Sequence, residues 1–341
     1  MVTLRDVAAE AGVSPMTVSN TVTGRKPVSP QTRERVMAAV ERLGYQVNVA
    51  ARNLRQGRTG VVGIAVPSLD SQYYGRLTQT LVEAFAGAGL RAVVEVTHSS
   101  REGELAAFQD SRHNAYDGLV ITALELSETE LAHLGRDLPV VVLGEQELHH
   151  SVDHVRMPNV AGAEAAATVL LERECRRLAV VGTPPAPDPD GPPAPERFAF
   201  DPRAEGFRAA VARHPGARAV EVHSGSAQED GRRSVVELLA AAEPPDGIFC
   251  VTDTLALGVL RGLWDHGVRA PDDVLVVGFD DVADARFSFP SLSTVAPDHD
   301  ALVGQAVDLL TTRMADPTLP ARERTVSFTV VERESTHRPT P

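Results

Sequence analysis

The sequence of 341 residues holds one lysine, Lys26, two cysteines and one tryptophan. The two cysteines, Cys175 and Cys250, each lie in or beside an apolar run, which excludes a disulfide framework and marks them as buried thiols. No apolar run approaches the ~18 residues that a membrane span requires. The opening MVTLRD lacks the charged-then-apolar character of a secretory leader, so a cytoplasmic protein is expected. The scarcity of lysine beside abundant arginine, alanine and proline reads as base-composition bias and carries no function. Dinucleotide fingerprints, Walker loops, G-x-S-x-G elbows and H-E-x-x-H motifs are missing as well, which removes the phosphate loops and nucleophile sites of the common α/β enzymes. His149, His150, Asp153 and His154 crowd together, but in what reads as a polar loop without helical or hairpin ligand spacing. Neither a metal nor a cofactor is expected.

What is present is uneven. The net charge is −13, yet residues 1–60 hold nine basic side chains against four acids, a balance of +5 that leaves −18 for the rest. A basic head on an acidic body suits a polyanionic partner at one end only. That head reads as three short helices. Thr3 caps the first with Asp6 three residues on, Leu4, Val7, Ala8 and Ala11 form its apolar stripe, and Gly12 stops it. Ser14 then Pro15 open a second helix, and Ser29 then Pro30 a third that ends near Leu43 and Gly44. Three capped helices in 45 residues, the first two joined through a glycine turn, make a helix-turn-helix pattern.

From Val61 the rhythm changes to short β-rich runs alternating with amphipathic stretches. The runs are VVGIAV (61–66), RAVVEVT (91–97), GLVITA (118–123), PVVVLG (139–144), LAVVG (178–182), AVEVH (219–223), GIFCVT (247–252) and VLVVGF (274–279). Helical patterns at 78–88, 159–173, 228–242 and 298–312 separate many of them, the signature of βαβ units and parallel sheets. A break near 145–177 suggests two doubly wound lobes, and 323–333 reads as further strand. Residues 45–60 are a polar, basic linker with a short helical segment from Asn48 to Leu54, and the stretch from Thr183 to residue 196 is proline-rich and irregular.

The ordered run LRDVAAEAGVSPMTVSN, VSPQTRERVMAAVERLGY and NVAARNLR resembles the lactose-repressor (LacI/GalR) family of bacterial regulators. The resemblance continues through DGLVITA, LPVVVLGE, RAEGFRAAV, TDTLALGVL, VLVVGFDD, PSLSTV and VERES, and so spans nearly the whole chain. It implies a helix-turn-helix DNA-binding domain (1–45), a hinge helix and linker (46–60) and a two-lobed, periplasmic-binding-protein-like effector and dimerisation domain (61–341). The implied function is sequence-specific repression: a homodimer on a pseudo-palindromic double-stranded DNA operator, controlled by a small polar effector such as a sugar, with no enzymatic activity. A solute-binding protein and a sugar-acting α/β enzyme are the alternatives.

By the family's spacing, Pro15, Met16 and Asn20 fall at base-reading positions. Asn20 stands where well-known members carry Arg, and an amide favours adenine. Thr3, Ser14, Thr17 and Tyr45 are expected at phosphates, although Met16 has core packing as an alternative. In the hinge, Asn48 is the expected cap, and Leu54 is expected to wedge into the minor groove. In the effector module, Tyr73, Tyr74, Arg203, Asp253 and Asp280 are the candidates, because ligands of such folds lie at the C-terminal ends of strands. Helix capping or lobe-internal bonding is the alternative for both aspartates, and a surface salt bridge for Arg203. Trp264 is expected to pack rather than serve as a ligand platform.

Overall fold

A computed structural model describes residues 2–23, 26–45, 58–144, 148, 151–183 and 201–337. The chain divides into two units, Met1–Thr59 and Gly60–Pro341.

The first unit contains α1 (Leu4–Ala11), α2 (Pro15–Thr23) and α3 (Pro30–Leu43). Their ends follow from local chemistry. Asp6 accepts from the Thr3 backbone N–H at 2.7 Å while Thr3 Oγ1 accepts from the Asp6 N–H at 3.3 Å, a reciprocal capping box. Those bonds from Thr3 hold the Asp6 carboxyl below its ordinary pKa. Ser14 Oγ accepts from the Thr17 N–H at 3.1 Å and Ser29 Oγ from the Thr32 N–H at 3.3 Å. Gly12 (φ 60°) and Gly44 (φ 59°) end α1 and α3 in the left-handed region that favours glycine. Val7, Ala8, Ala11, Val18, Val36 and Ala39 form the small core, with Tyr45 packed at its edge.

The second unit holds two six-stranded sheets. Lobe 1 has the order β11-β5-β4-β3-β1-β2, built from β1 (Val61–Val66), β2 (Arg91–Val96), β3 (Gly118–Thr122), β4 (Val140–Gly144), β5 (Asp153–Arg156) and β11 (Glu323–Thr325), all parallel. Lobe 2 has the order β12-β10-β9-β8-β6-β7, from β6 (Arg177–Thr183), β7 (Arg218–His223), β8 (Gly247–Cys250), β9 (Leu275–Phe279), β10 (Ser293–Pro297) and β12 (Phe328–Val331); only β12 runs antiparallel. The central strands are buried along their whole length, which is why they read as continuous apolar runs rather than alternating ones. Helices α4 (Gln72–Gly87), α5 (Arg101–His113), α6 (Glu128–Leu134), α7 (Asn159–Glu172), α8 (Pro202–Ala212), α9 (Gln228–Ala240), α10 (Asp253–Asp265) and α11 (His299–Ala315) complete the unit. Cys175 and Cys250 are buried and unbridged, and burial pushes the Cys250 thiol up.

The chain passes between the lobes three times. After β5 of lobe 1 it enters α7, which packs on β8, β9, β10 and β12 of lobe 2; after β10 it enters α11, which packs on β3, β4 and β5 of lobe 1. The third passage joins β11 to β12. All three leave from the C-terminal ends of parallel strands, so those ends face the boundary between the lobes.

Four expectations are corrected. Asp153 and His154 lie not in a polar loop but on β5, a strand too short and polar to be read as one. Asp153 is buried and accepts from Arg313 Nε and Nη2, both at 3.0 Å, and from the Arg322 N–H at 2.9 Å. Burial alone would raise its pKa; the bonds from Arg313 and Arg322 outweigh that and lower it. Residues 323–333 form two strands in different lobes rather than one. Strand β10 had no counterpart among the expected runs. Trp264 is 65% exposed, so it does not pack into the core.

Candidate functional site

Arg203 lies in the first turn of α8, whose cap Asp201 accepts from the N–H groups of Arg203 and Ala204 at 2.9 and 3.2 Å. Its side chain turns inward and is 4% exposed. Nη1 stands 3.4 Å from Asp280 Oδ1 and also donates to the Val251 carbonyl; Nε donates to Asn159 Oδ1 at 3.0 Å; the guanidinium carbon sits 3.9 Å from the Phe279 ring centroid. A buried guanidinium without such partners would be strongly unfavourable. The face-on ring adds roughly 0.5–2 kcal/mol of cation–π attraction. Arg203 is therefore no surface salt bridge.

Asp280 follows β9 at the C-terminal end of the lobe 2 sheet, with φ at 115°, and Asp281 follows at 50°. Two consecutive non-glycine residues in that region store strain of about 1–3 kcal/mol each, which persists only where surrounding structure imposes it. The Asp280 N–H donates to the Val295 carbonyl at 2.8 Å, and Asp281 accepts from Arg333 at 2.6 Å. These anchors turn the Asp280 carboxylate toward Arg203.

Asp253 has a different part. It is fully buried, its Oδ1 accepts from Thr294 Oγ1 at 2.6 Å and its Oδ2 from the Val282 N–H at 2.9 Å. Burial, reinforced by the nearby Asp280 charge, holds its pKa well above the carboxylate range. A Cβ at residue 278 would lie 2.1 Å from Asp253 Oδ1, so Gly278 is required beside it. Asp253 is thus a strut tying α10 to β10 and to the turn after β9, a correction to its expected place as a ligand acceptor. Nor does it cap α10; Thr252 does, accepting from the Leu255 N–H at 3.3 Å.

In lobe 1, Tyr73 and Tyr74 open α4 and meet edge to face, centroids 5.1 Å apart. Tyr73 reaches Met157 Sδ at 3.7 Å and the His299 ring at 6.1 Å. Met157 and His299 flank two of the inter-lobe passages, so Tyr73 packs beside the crossings. His299 is held neutral, its pKa lowered to about 4 by burial and then by Arg76. Gln72, one residue earlier, spans the lobes: its amide nitrogen donates to the Asp284 carboxylate and its Oε1 accepts from the Asp284 N–H at 3.4 Å. Among the described residues, no cluster of His, Cys, Asp or Glu is arranged to hold a metal, and no helix is long and apolar enough to cross a membrane.

In the first unit, Pro15 and Met16 are exposed at the start of α2, Met16 to 71%, which rules out the core-packing alternative for Met16. Asn20 and Thr17 are half-buried on the same helix, Ser14 and Thr17 share a 2.9 Å hydroxyl bond, and Thr3 is exposed. Asn48 and Leu54 lie outside the described residues.

Residues 3–48 match the model of the bacterial regulatory proteins of the lacI family, and residues 167–336 match a periplasmic binding protein-like domain. The ribose operon repressor of Halalkalibacterium halodurans is 30% identical over 296 residues, 86% of this chain and 85% of that protein. The chain belongs to the lacI family. As a lacI-family protein it is a DNA-binding transcriptional repressor and not an enzyme, and its N-terminal match sets aside the solute-binding alternative. Among solved structures, the complex of the transcriptional regulator CelR with cellobiose is 26% identical, with a TM-score of 0.69 over 98% of this chain and 100% of that one. The lac repressor dimer bound to operator and the anti-inducer ONPF superposes with a TM-score of 0.83 at 24% identity, over 98% and 99% of the two chains, and so shares the fold.

Asn159 and Phe279 of the Arg203 cluster are not among the candidates that the sequence of this lacI-family repressor singles out. Asn159 falls in the amphipathic helical pattern 159–173, although a lone amide directly after Pro158, at the head of NVAGAEAAATVLLE, is the signal that could single it out.

Proposed function

We propose that this repressor acts in the cytoplasm as a homodimer on a pseudo-palindromic operator, and that a small polar effector, a sugar or related metabolite, docks at the lobe boundary beside Arg203 and Asp280. The observation that carries the effector half is the buried Arg203–Asp280 pair. A guanidinium fork beside a carboxylate presents donors and an acceptor together, already neutralised, which suits vicinal hydroxyls better than an anion. The ribose operon relative and the cellobiose held by CelR support a carbohydrate. On the DNA side, exposed Pro15 and Met16 with Asn20 on the same helix support base reading by α2, with Thr3, Ser14, Thr17 and Tyr45 at phosphates. The cap at Asn48 and the wedge at Leu54 stay part of this proposal through the family resemblance.

Calorimetry of the full chain against D-ribose, cellobiose, their phosphorylated forms and a purine base tests the effector half. Micromolar binding of an unphosphorylated sugar, with the melting transition raised by about 2.7 kcal/mol equivalent at a hundred times Kd, supports it. Binding confined to a phosphate or a base overturns it.

A further inference from the structure

Glu104 stands in the first turn of α5, yet it is fully buried, which glutamate rarely is. Gly103 beside it shows how. A Cβ at that position would lie 2.0 Å from the Thr97 carbonyl oxygen, so glycine lets the start of α5 press against the backbone just past β2. Ser100 secures the same corner, donating to the Thr97 carbonyl at 2.8 Å and accepting from the Gly103 N–H at 3.1 Å.

The carboxylate serves one short loop. Oε1 accepts from the N–H groups of Leu124 and Glu125 at 2.6 and 3.0 Å, and Oε2 from those of Glu125 and Leu126 at 3.2 and 3.0 Å. Backbone donors between a strand and a helix have no ladder to join, and here three consecutive ones converge on a single anion. Such charge-assisted bonds are about twice as strong as neutral ones, so the carboxylate both satisfies and orders the loop. Ala123 and Leu126 are buried at its two ends, while Leu124 and Glu125 are half-buried.

The loop's place gives this a consequence for binding. It leaves the C-terminal end of β3, which lies between β1 and β4 in the lobe 1 sheet, and that end faces the lobe boundary. We infer that Glu104 is a positioning residue of the effector site: from behind the loop, its carboxylate holds the backbone of residues 124–126 in the shape that meets the ligand. This inference rests on the proposed docking of the effector at the lobe boundary.

The test uses the full chain and Glu104→Gln, which keeps the shape of the side chain but turns one acceptor oxygen into a donor facing an N–H group. Without ligand, amide hydrogen exchange read by mass spectrometry on peptides containing 124–126 is expected to be at least tenfold faster in the variant, with exchange within β3 unchanged. Calorimetry with D-ribose and cellobiose is expected to show at least a tenfold loss of affinity for whichever sugar binds, and a saturating concentration of that sugar to return 124–126 to slow exchange. A purely architectural glutamate would not produce that return. Unchanged ligand-free exchange in the variant overturns the inference, as does faster exchange with undiminished sugar affinity. Should the variant not fold, the wild type decides: a sugar that binds and leaves the exchange of 124–126 unaltered overturns the inference, and one that slows it further supports it. If neither sugar binds the wild type, the carbohydrate assignment falls separately, and the ligand-free exchange comparison alone decides whether Glu104 holds the loop.

Discussion

Arg203 and Asp280 face each other at 3.4 Å at the C-terminal end of the lobe 2 sheet, with the guanidinium carbon 3.9 Å from the Phe279 ring centroid. Both side chains are nearly inaccessible, so each depends on the other for its charge. Removing one partner leaves an uncompensated buried charge, whereas removing both does not. Arg203→Ala is therefore expected to abolish effector binding and to destabilise the module by about 3–5 kcal/mol. Arg203→Met combined with Asp280→Leu is expected to recover most of that stability and none of the binding. Urea denaturation and calorimetry on the same samples check both halves; recovery of binding in the double variant would remove the pair from the site.

The exposed start of α2 carries the operator prediction. Asn20→Ala and Met16→Ala are expected to relax preference at one symmetric position in each half-site, by about 1–3 kcal/mol. Affinity for unrelated DNA is expected to stay near wild type. Competitive anisotropy against a set of single-base operator variants reads this directly. Equal weakening on every sequence would assign these residues to phosphates instead.

His154 makes the effector module acid-sensitive. Its imidazole is buried on β5, and burial lowers its pKa from 6.5 to about 4 against the raising influence of Glu323 and of the Gly144 backbone. Because the folded-state pKa is the lower one, the unfolded chain takes up a proton first as pH falls. Stability is full above about pH 6.5 and declines toward pH 4, at ~1.4 kcal/mol per unit. Denaturation at pH 7.5 and pH 5 should show His154→Leu losing about 2 kcal/mol less than wild type over that interval. An identical loss in both proteins would mean that the imidazole is already protonated, or already solvated, in the fold.

Gln72 and Asp284 form a two-point clasp between the lobes at exposed positions. Exposed hydrogen bonds contribute on the order of 1 kcal/mol, so Gln72→Ala should leave the melting temperature nearly unchanged. If effector binding draws the lobes together, the same variant should release its ligand a few times faster. Stopped-flow dissociation rates measure this, and equal rates would show that the clasp does not move with the ligand.

Much of this architecture was legible in the sequence, for local reasons. The capping pairs Thr3 with Asp6 and Ser14 with Thr17 act over three residues, and central strands such as GLVIT are buried on both faces, so neither needs the rest of the chain to be recognised. What escaped depends on distant partners. DHVR pairs as a strand between β4 and β11, and its buried Asp153 is neutralised by Arg313 and Arg322, about 160 residues further on. Asp253 is a strut because Thr294 lies on β10, which was not expected as a strand. Asn159 joined the site because the lobe passage delivers it to Arg203. Pairing across the lobe boundary leaves no trace in periodicity.

A ligand beside Arg203 and Asp280 is proposed to set the affinity for DNA. The most direct measurement is anisotropy on an operator selected by the protein itself from random DNA, with and without the sugar that binds in calorimetry, for wild type and Arg203→Ala. The operator Kd of the wild type is expected to change by roughly 5- to 150-fold, the usual range of coupling between sites. No change is expected in Arg203→Ala, whose ligand-free operator affinity matches the wild type. An equal sugar response in Arg203→Ala, or a sugar that binds the wild type and leaves operator Kd untouched, would contradict it.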